Sequence, residues 1–108
     1  MQTVVHVVCS RGASLRELIV CDRQLRRYYL RVHKQQQAGR SPGWAKLHGT
    51  KADSRGALNV TWDSTTSTLV CRVISKGASP PSKIIGDFVT YLLGRHNRRI
   101  KFVVVLAQ

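Results

Sequence analysis

Apolar residues recur along this chain in two periods, and the places where one period gives way to the other set the expected elements. Thr3 to Val8, TVVHVV, is rich in β-branched residues and reads as a first strand, with Arg11 and Gly12 opening the turn after it. His6 alternates with the valines and is expected to pack rather than to ligate. From Ser14 to Gly39 the step lengthens to three or four, and Leu18, Cys21, Leu25, Tyr28 and Val32 would share one face of a long helix within Leu15 to Ala38. Ser14 and Glu17 have the S-x-x-E spacing of a capping box at its start, and Gly39 with Pro42 beyond it is a stop signal. A second reading turns Leu18 to Cys21, LIVC, into a short strand and starts the helix at Arg23 behind an Asp22 cap.

The period of two returns after a polar, turn-forming run from Lys34 to Trp44. Trp44 to His48, WAKLH, alternates as a short strand, and Gly49 to Gly56 makes a loop. Leu58, Val60 and Trp62 alternate with Asn59 and Thr61, DSTT turns the chain, and Leu69, Cys71 and Val73 alternate with Val70, Arg72 and Ile74. A hairpin across Leu58 to Ile74 follows, with one face in the core. Lys76 to Ser82, KGASPPS, is a loop stiffened by its prolines. A second helix within Ser82 to His96 would bury Ile84, Ile85, Phe88, Val89, Leu92 and Leu93. Gly86 inside it costs about 1 kcal/mol against alanine, which points to close packing on the sheet. Lys101 to Ala107, KFVVVLA, is apolar on both faces, the pattern of an interior strand. The sequence thus predicts one α+β domain over residues 1–108, a mainly antiparallel sheet of four to five strands with two helices packed on one face. The element order is compatible with a ferredoxin-like arrangement.

Charge changes this picture. The 108 residues carry 18 Lys and Arg against 5 Asp and Glu, a net +13. Such an imbalance destabilises the folded chain by self-repulsion, and an anionic partner relieves it. Within the long stretch Arg16, Arg23, Arg27, Arg31 and Lys34 recur at helical spacing with Arg26 beside them, and Glu17 and Asp22 are its only acids. A charged helix face is ordinarily just solvated, but cations that lack acids of their own predict a polyanion partner, RNA or DNA. Arg40 follows in the loop, Tyr29 offers a ring for base stacking, and Arg95, Arg98, Arg99 and Lys101 form a second basic cluster. The expected function is a nucleic-acid-binding module that contacts phosphates through a basic helix face, without strong sequence specificity.

Catalytic signals are thin. The Walker, dinucleotide, zinc-protease and nucleophile-elbow motifs are all missing, and Asp22, Asp53, Asp63 and Asp87 are scattered over caps, loops and turns. Neither a metal nor a cofactor is expected. Cys9, Cys21 and Cys71 lack C-x-x-C spacing and should pack as small hydrophobes. His33, His48 and His96 among so many cations could serve a small metal-free ribonuclease, and small RNA-cutting toxins share this size and charge, a likeness of composition only. A basic component of a protein assembly is the third reading. The lack of grouped acids or of a nucleophile motif leans against an enzyme. No apolar run reaches about 18 residues and the first apolar run has no cation before it, so an intracellular, cytoplasmic protein without a membrane span is expected. Exposed edges at the final strand and the hairpin would allow a homodimer.

Overall fold

The computed structural model describes residues 3–75 and 80–107. They form β1 (Thr3–Cys9), α1 (Leu15–Val20), β2 (Leu30–Lys34), β3 (Trp44–Gly49), β4 (Gly56–Asp63), β5 (Thr68–Ser75), α2 (Pro81–His96) and β6 (Ile100–Leu106). Strand alternation sorts their side chains into two layers. Val5 and Val7 of β1, Leu47 of β3, Leu58 and Val60 of β4, and Leu69, Cys71 and Val73 of β5 point to one side and are buried with Leu15 and Ile19 of α1 and Ile84, Phe88, Tyr91 and Leu92 of α2. One face of the sheet therefore carries both helices and the core. The other face meets solvent.

The sheet has six strands in the order β2-β3-β4-β5-β1-β6, and every neighbouring pair is antiparallel. Counting directions along this order, β1 runs parallel to β2, and β5 parallel to β6. The segment with α1 therefore carries the chain from β1 past β5, β4 and β3 to the far edge, a four-strand meander returns it to β1, and α2 crosses over β1 to place β6. This order differs from the four-stranded ferredoxin-like arrangement, because β2 to β5 form an uninterrupted meander and β1 pairs with β5 antiparallel. No described helix is long and apolar enough to cross a membrane.

The α+β class, the hairpin, the first strand, the WAKLH strand and the second helix agree with the sequence patterns. The long helix does not form, which removes the helical cationic stripe built on it. Ser14 Oγ does accept from the Glu17 amide, but α1 stops at Val20. Asp22 Oδ1 then takes the Gln24 amide at 2.9 Å, a local bond that competes with helix continuation. Leu25–Tyr28 forms a single 3-10 turn, and Tyr29 ends it in the left-handed region with φ 64°. Leu30 and Val32 then face inward while Arg31 faces outward, a period of two in which Leu30, outside the helical seam, is fully buried. Neither does the alternative hold, since Leu18 to Val20 is helical rather than a strand.

Two further expectations fail for reasons of position. β6 lies at the edge of the sheet beyond β1, not inside it, and Phe102, Val104, Val105 and Leu106 are exposed. Gly86 is on the solvent side of α2 with no atom near its missing side chain. Close packing is found instead at Gly94, where a Cβ would come within 2.7 Å of the Tyr28 hydroxyl oxygen and that ring would have to shift. The expected loop over 76–82 lies outside the described residues as far as 79, and Pro81 opens α2 at a position that needs no amide proton.

Candidate nucleic-acid interface

The open face of the sheet is built from the outward positions of the same alternating strands. Register sets Lys34, Lys46, Asn59 and Arg72 directly opposite one another across β2, β3, β4 and β5. One step along, Arg31, His48, Ala57 and Ile74 make a parallel row. An irregularity in β2 between Val32 and Lys34 allows Lys34 to face the same way as Arg31. There His33 stacks on His48, with ring centroids 4.1 Å apart and planes 12° from parallel. Arg31 Nη2 lies 3.3 Å from His48 Nδ1. At the end of these rows Lys46, His48, Arg55, Ala57 and Ile74, with Gly49 and Gly56, line a cleft of about 270 Å³. Gly56, at φ 147°, permits the close approach of β4 to β5 there, since a Cβ would collide with the Ile74 carbonyl.

The electrostatics of this face follow from where the acids are. Glu17 pairs with Arg16, Asp87 with Lys51 at 3.6 Å, and Asp22 with Arg95 and His96. Asp63 accepts the Thr65 and Thr66 amides in the hairpin turn, and Asp53 accepts from Ser54 Oγ. Among the described residues, then, Arg31, Lys34, Lys46, Arg55 and Arg72 have no carboxylate in salt-bridge reach. Lys34 and Lys46 are like charges directly opposed in a strand pair, an arrangement that destabilises a sheet. Asn59, between Lys46 and Arg72, has a buried Oδ1 without a hydrogen-bond partner among the described residues.

The residues proposed from sequence divide among four places. Arg31 and Lys34 stand on the open face, and Arg40 reaches that side with its guanidinium 5.1 Å from the Trp44 ring centroid. Arg23, Arg26 and Arg27 are exposed on the segment between α1 and β2, which packs through Leu25 and Tyr28 on the helix side. Tyr29 is also exposed, but Lys51 Nζ sits over its ring at 4.0 Å. Arg98 and Lys101 are exposed near the β6 edge, while Arg99 is turned inward and donates to the Ser10 and Ala13 carbonyls at 3.2 and 2.8 Å. Lys46, which the sequence places among the aromatic and basic residues around Trp44, stands on this face, whereas Arg55 and Arg72 carry no such signal, although Arg72 falls on the outward beat of a strand whose inward residues alternate with it.

Arg95 belongs to a different constellation. Its Nε and Nη2 donate to the two oxygens of Asp22 at 3.1 and 3.3 Å, and the Tyr91 hydroxyl donates to Asp22 Oδ2 at 2.9 Å. His96 Nε2 lies 2.8 Å from the Tyr91 oxygen. Since the one hydroxyl proton goes to Asp22, Nε2 is the donor in that contact. Burial pushes the Asp22 carboxyl up, but hydrogen bonds from Arg95, the Gln24 amide and Tyr91 outweigh it and hold it below the ordinary carboxylate value. Burial, followed by the Asp22 charge, drives the Tyr91 phenol far above its usual range. Burial holds His96 below the ordinary histidine value despite Asp22 beside it. These groups join the end of α1 to the end of α2, and their polar atoms are turned on one another. Arg16 is likewise spent internally, buried with its Nε donating to the Trp44 carbonyl at 3.1 Å and its guanidinium bonded to Glu17 and the Gln35 carbonyl.

No group of three His, Cys, Asp or Glu side chains able to hold a metal ion occurs among the described residues. No protein-family model matches this chain, and neither a curated protein nor a solved structure matches it.

Proposed function

We propose that the protein is a nucleic-acid-binding module whose contact surface is the open face of the sheet from β2 to β5, rather than a helix. The observation that carries this reading is the row Lys34, Lys46, Asn59 and Arg72 beside the row headed by Arg31 and His48. Opposed lysines weaken the sheet they sit in, and no acid of the described residues offsets them. Phosphates laid along the rows would remove that repulsion and release condensed counterions, which is the main source of affinity in sequence-independent binding. A sheet face with ring systems among the cations also suits stacking of bases between phosphate contacts. Lys and Arg directed at phosphates carry no sequence information, so the module discriminates little between sequences.

A second reading, metal-free cleavage of RNA, is favoured by one observation: His33 and His48 come together beside Arg31. General acid–base transfer to a 2′-hydroxyl and from a leaving 5′-oxygen needs two such groups near one phosphate. One experiment addresses both. Purified protein is incubated with labelled single-stranded RNA, single-stranded DNA and duplex DNA at low salt, with and without Mg²⁺, and both retardation and cleavage are followed. Retardation without products is expected. RNA products that vanish in His33→Ala or His48→Ala would establish the ribonuclease, and no retardation of any strand would defeat the binding reading.

A further inference from the structure

The cleft at the end of the open face points beyond phosphate binding. It lies where Ala57 of β4 and Ile74 of β5 continue the row that begins with Arg31 and His48, and Lys46 and Arg55 line it as well. Its lining thus joins two apolar side chains to two cations. Ile74 is a large hydrophobic residue 43% exposed, two positions along β5 from Arg72, and it lines the cleft. A cavity of roughly 150 Å³ accommodates a benzene ring, so one of about 270 Å³ has room for a flat bicyclic group. His48 lines the cleft from β3, while His33 stacks on it from the β2 side.

We infer that this cleft takes one unpaired nucleotide, its base against His48, Ala57 and Ile74 and its phosphate between Lys46 and Arg55. The inference rests on the binding role of the open face and adds a ligand class to it: a strand whose bases are free of pairing. In a duplex the base faces are occupied by their neighbours and cannot enter, whereas in a single strand each base has a π-face to offer. The same constraint makes the preference one for single strands rather than for a sequence. Phosphate contacts alone would favour the duplex, which has the higher charge density.

The test uses fluorescence anisotropy on the full chain with a short labelled single-stranded RNA and with the same sequence as a duplex, at matched salt. The wild type is expected to bind the single strand more tightly. Ala57→Phe, which fills the cleft without altering charge, is expected to reduce that preference about tenfold, the size of one stacked base. A preference left unchanged by this substitution in a protein of wild-type circular dichroism would overturn the inference. A readout independent of any variant is competition on the wild type. Adenosine 5′-monophosphate should displace the labelled single strand at about tenfold lower concentration than ribose 5-phosphate does. Equal potency would mean that only phosphate is read and would overturn the cleft, while leaving open-face binding intact. Failure of both strands to bind at low salt would instead remove the broader reading on which the cleft depends.

Discussion

The Asp22 cluster and the open sheet face use the same residue types for opposite ends. At the junction of α1 and α2, Arg95 and His96 converge on one carboxylate that also receives the Tyr91 hydroxyl, so each polar group meets another within the protein. On the open face Arg31, Lys34, Lys46, Arg55 and Arg72 stand among histidines and an amide, with no carboxylate in reach among the described residues. The difference teaches that a net charge of +13 is not one property of this chain. Part of it is a fastener for the helix layer. Another part works against the sheet that carries it, and that part is the one a polyanion would stabilise.

The comparison is broken most sharply at Asp22. Asp22→Ala leaves the Tyr91 hydroxyl without its acceptor in a buried setting, and the expected loss in urea denaturation is roughly 1–3 kcal/mol. Nucleic-acid affinity of the folded variant should stay within about twofold, since 1.4 kcal/mol corresponds to a tenfold change and no contact is removed. A large loss of affinity from this substitution, with the protein folded, would merge the two regions that the account keeps apart.

Acid should weaken the cluster. His96 binds protons less readily in the folded chain than at its ordinary value of 6.5, so the unfolded chain takes up more protons just below that pH. Its contribution to stability is complete above about 6.5 and is lost as pH falls through its lowered folded value. Asp22, held below its ordinary 3.8, adds a second loss in the same direction as pH falls below 3.8. The thermal midpoint is therefore expected to decline from pH 7 to pH 5 in the wild type, and His96→Gln, which can still donate to Tyr91, should flatten that decline. A wild-type midpoint rising over the same interval would reverse the assignment.

The smallest effect is also the most specific. Lys46→Gln removes one of two opposed lysines, so it should raise stability by about 0.2–1 kcal/mol while weakening nucleic-acid binding. Stability and binding moving in opposite directions at one surface residue is the signature of a charge placed for a partner. If Lys46→Gln destabilised the protein, the lysine would instead have a structural role.

Much of the fold was legible because burial on one side imposes a period that survives in the sequence. Val60 and Trp62 with Leu69 and Cys71 specified the hairpin, and Ile84, Phe88 and Leu92 specified α2. The stretch from Leu15 to Lys34 misled because Leu25, Tyr28 and Val32 satisfy a helical step while lying on a 3-10 turn and a strand that only together reach the core. What decides the break is local and weakly encoded: the Asp22 side chain bonding the Gln24 amide and the left-handed Tyr29, a conformation more usual for Gly or Asn. Once that helix is gone, the basic residues regroup. Arg31 and Lys34 join Lys46 and Arg72 across a strand order that no local pattern records, whereas Arg23, Arg26 and Arg27 stay on the other layer. β6 misled in another way, since being apolar on both sides suits an interior strand, and its sequence does not tell that only β1 lies beside it.

The measurement that bears most directly on the open face is the salt dependence of single-strand binding in two triple variants. In Arg31→Gln/Lys46→Gln/Arg72→Gln, three of the phosphate contacts proposed for the open face would be removed, and the slope of log K against log salt should become shallower by about 2, at roughly 0.7 per contact. In Arg23→Gln/Arg26→Gln/Arg27→Gln, equal charge is removed from the helix side and the slope should match the wild type. A slope unchanged in the first variant and flattened in the second, with both shown to be folded, would return the interface to the arginines between α1 and β2 and contradict the open face.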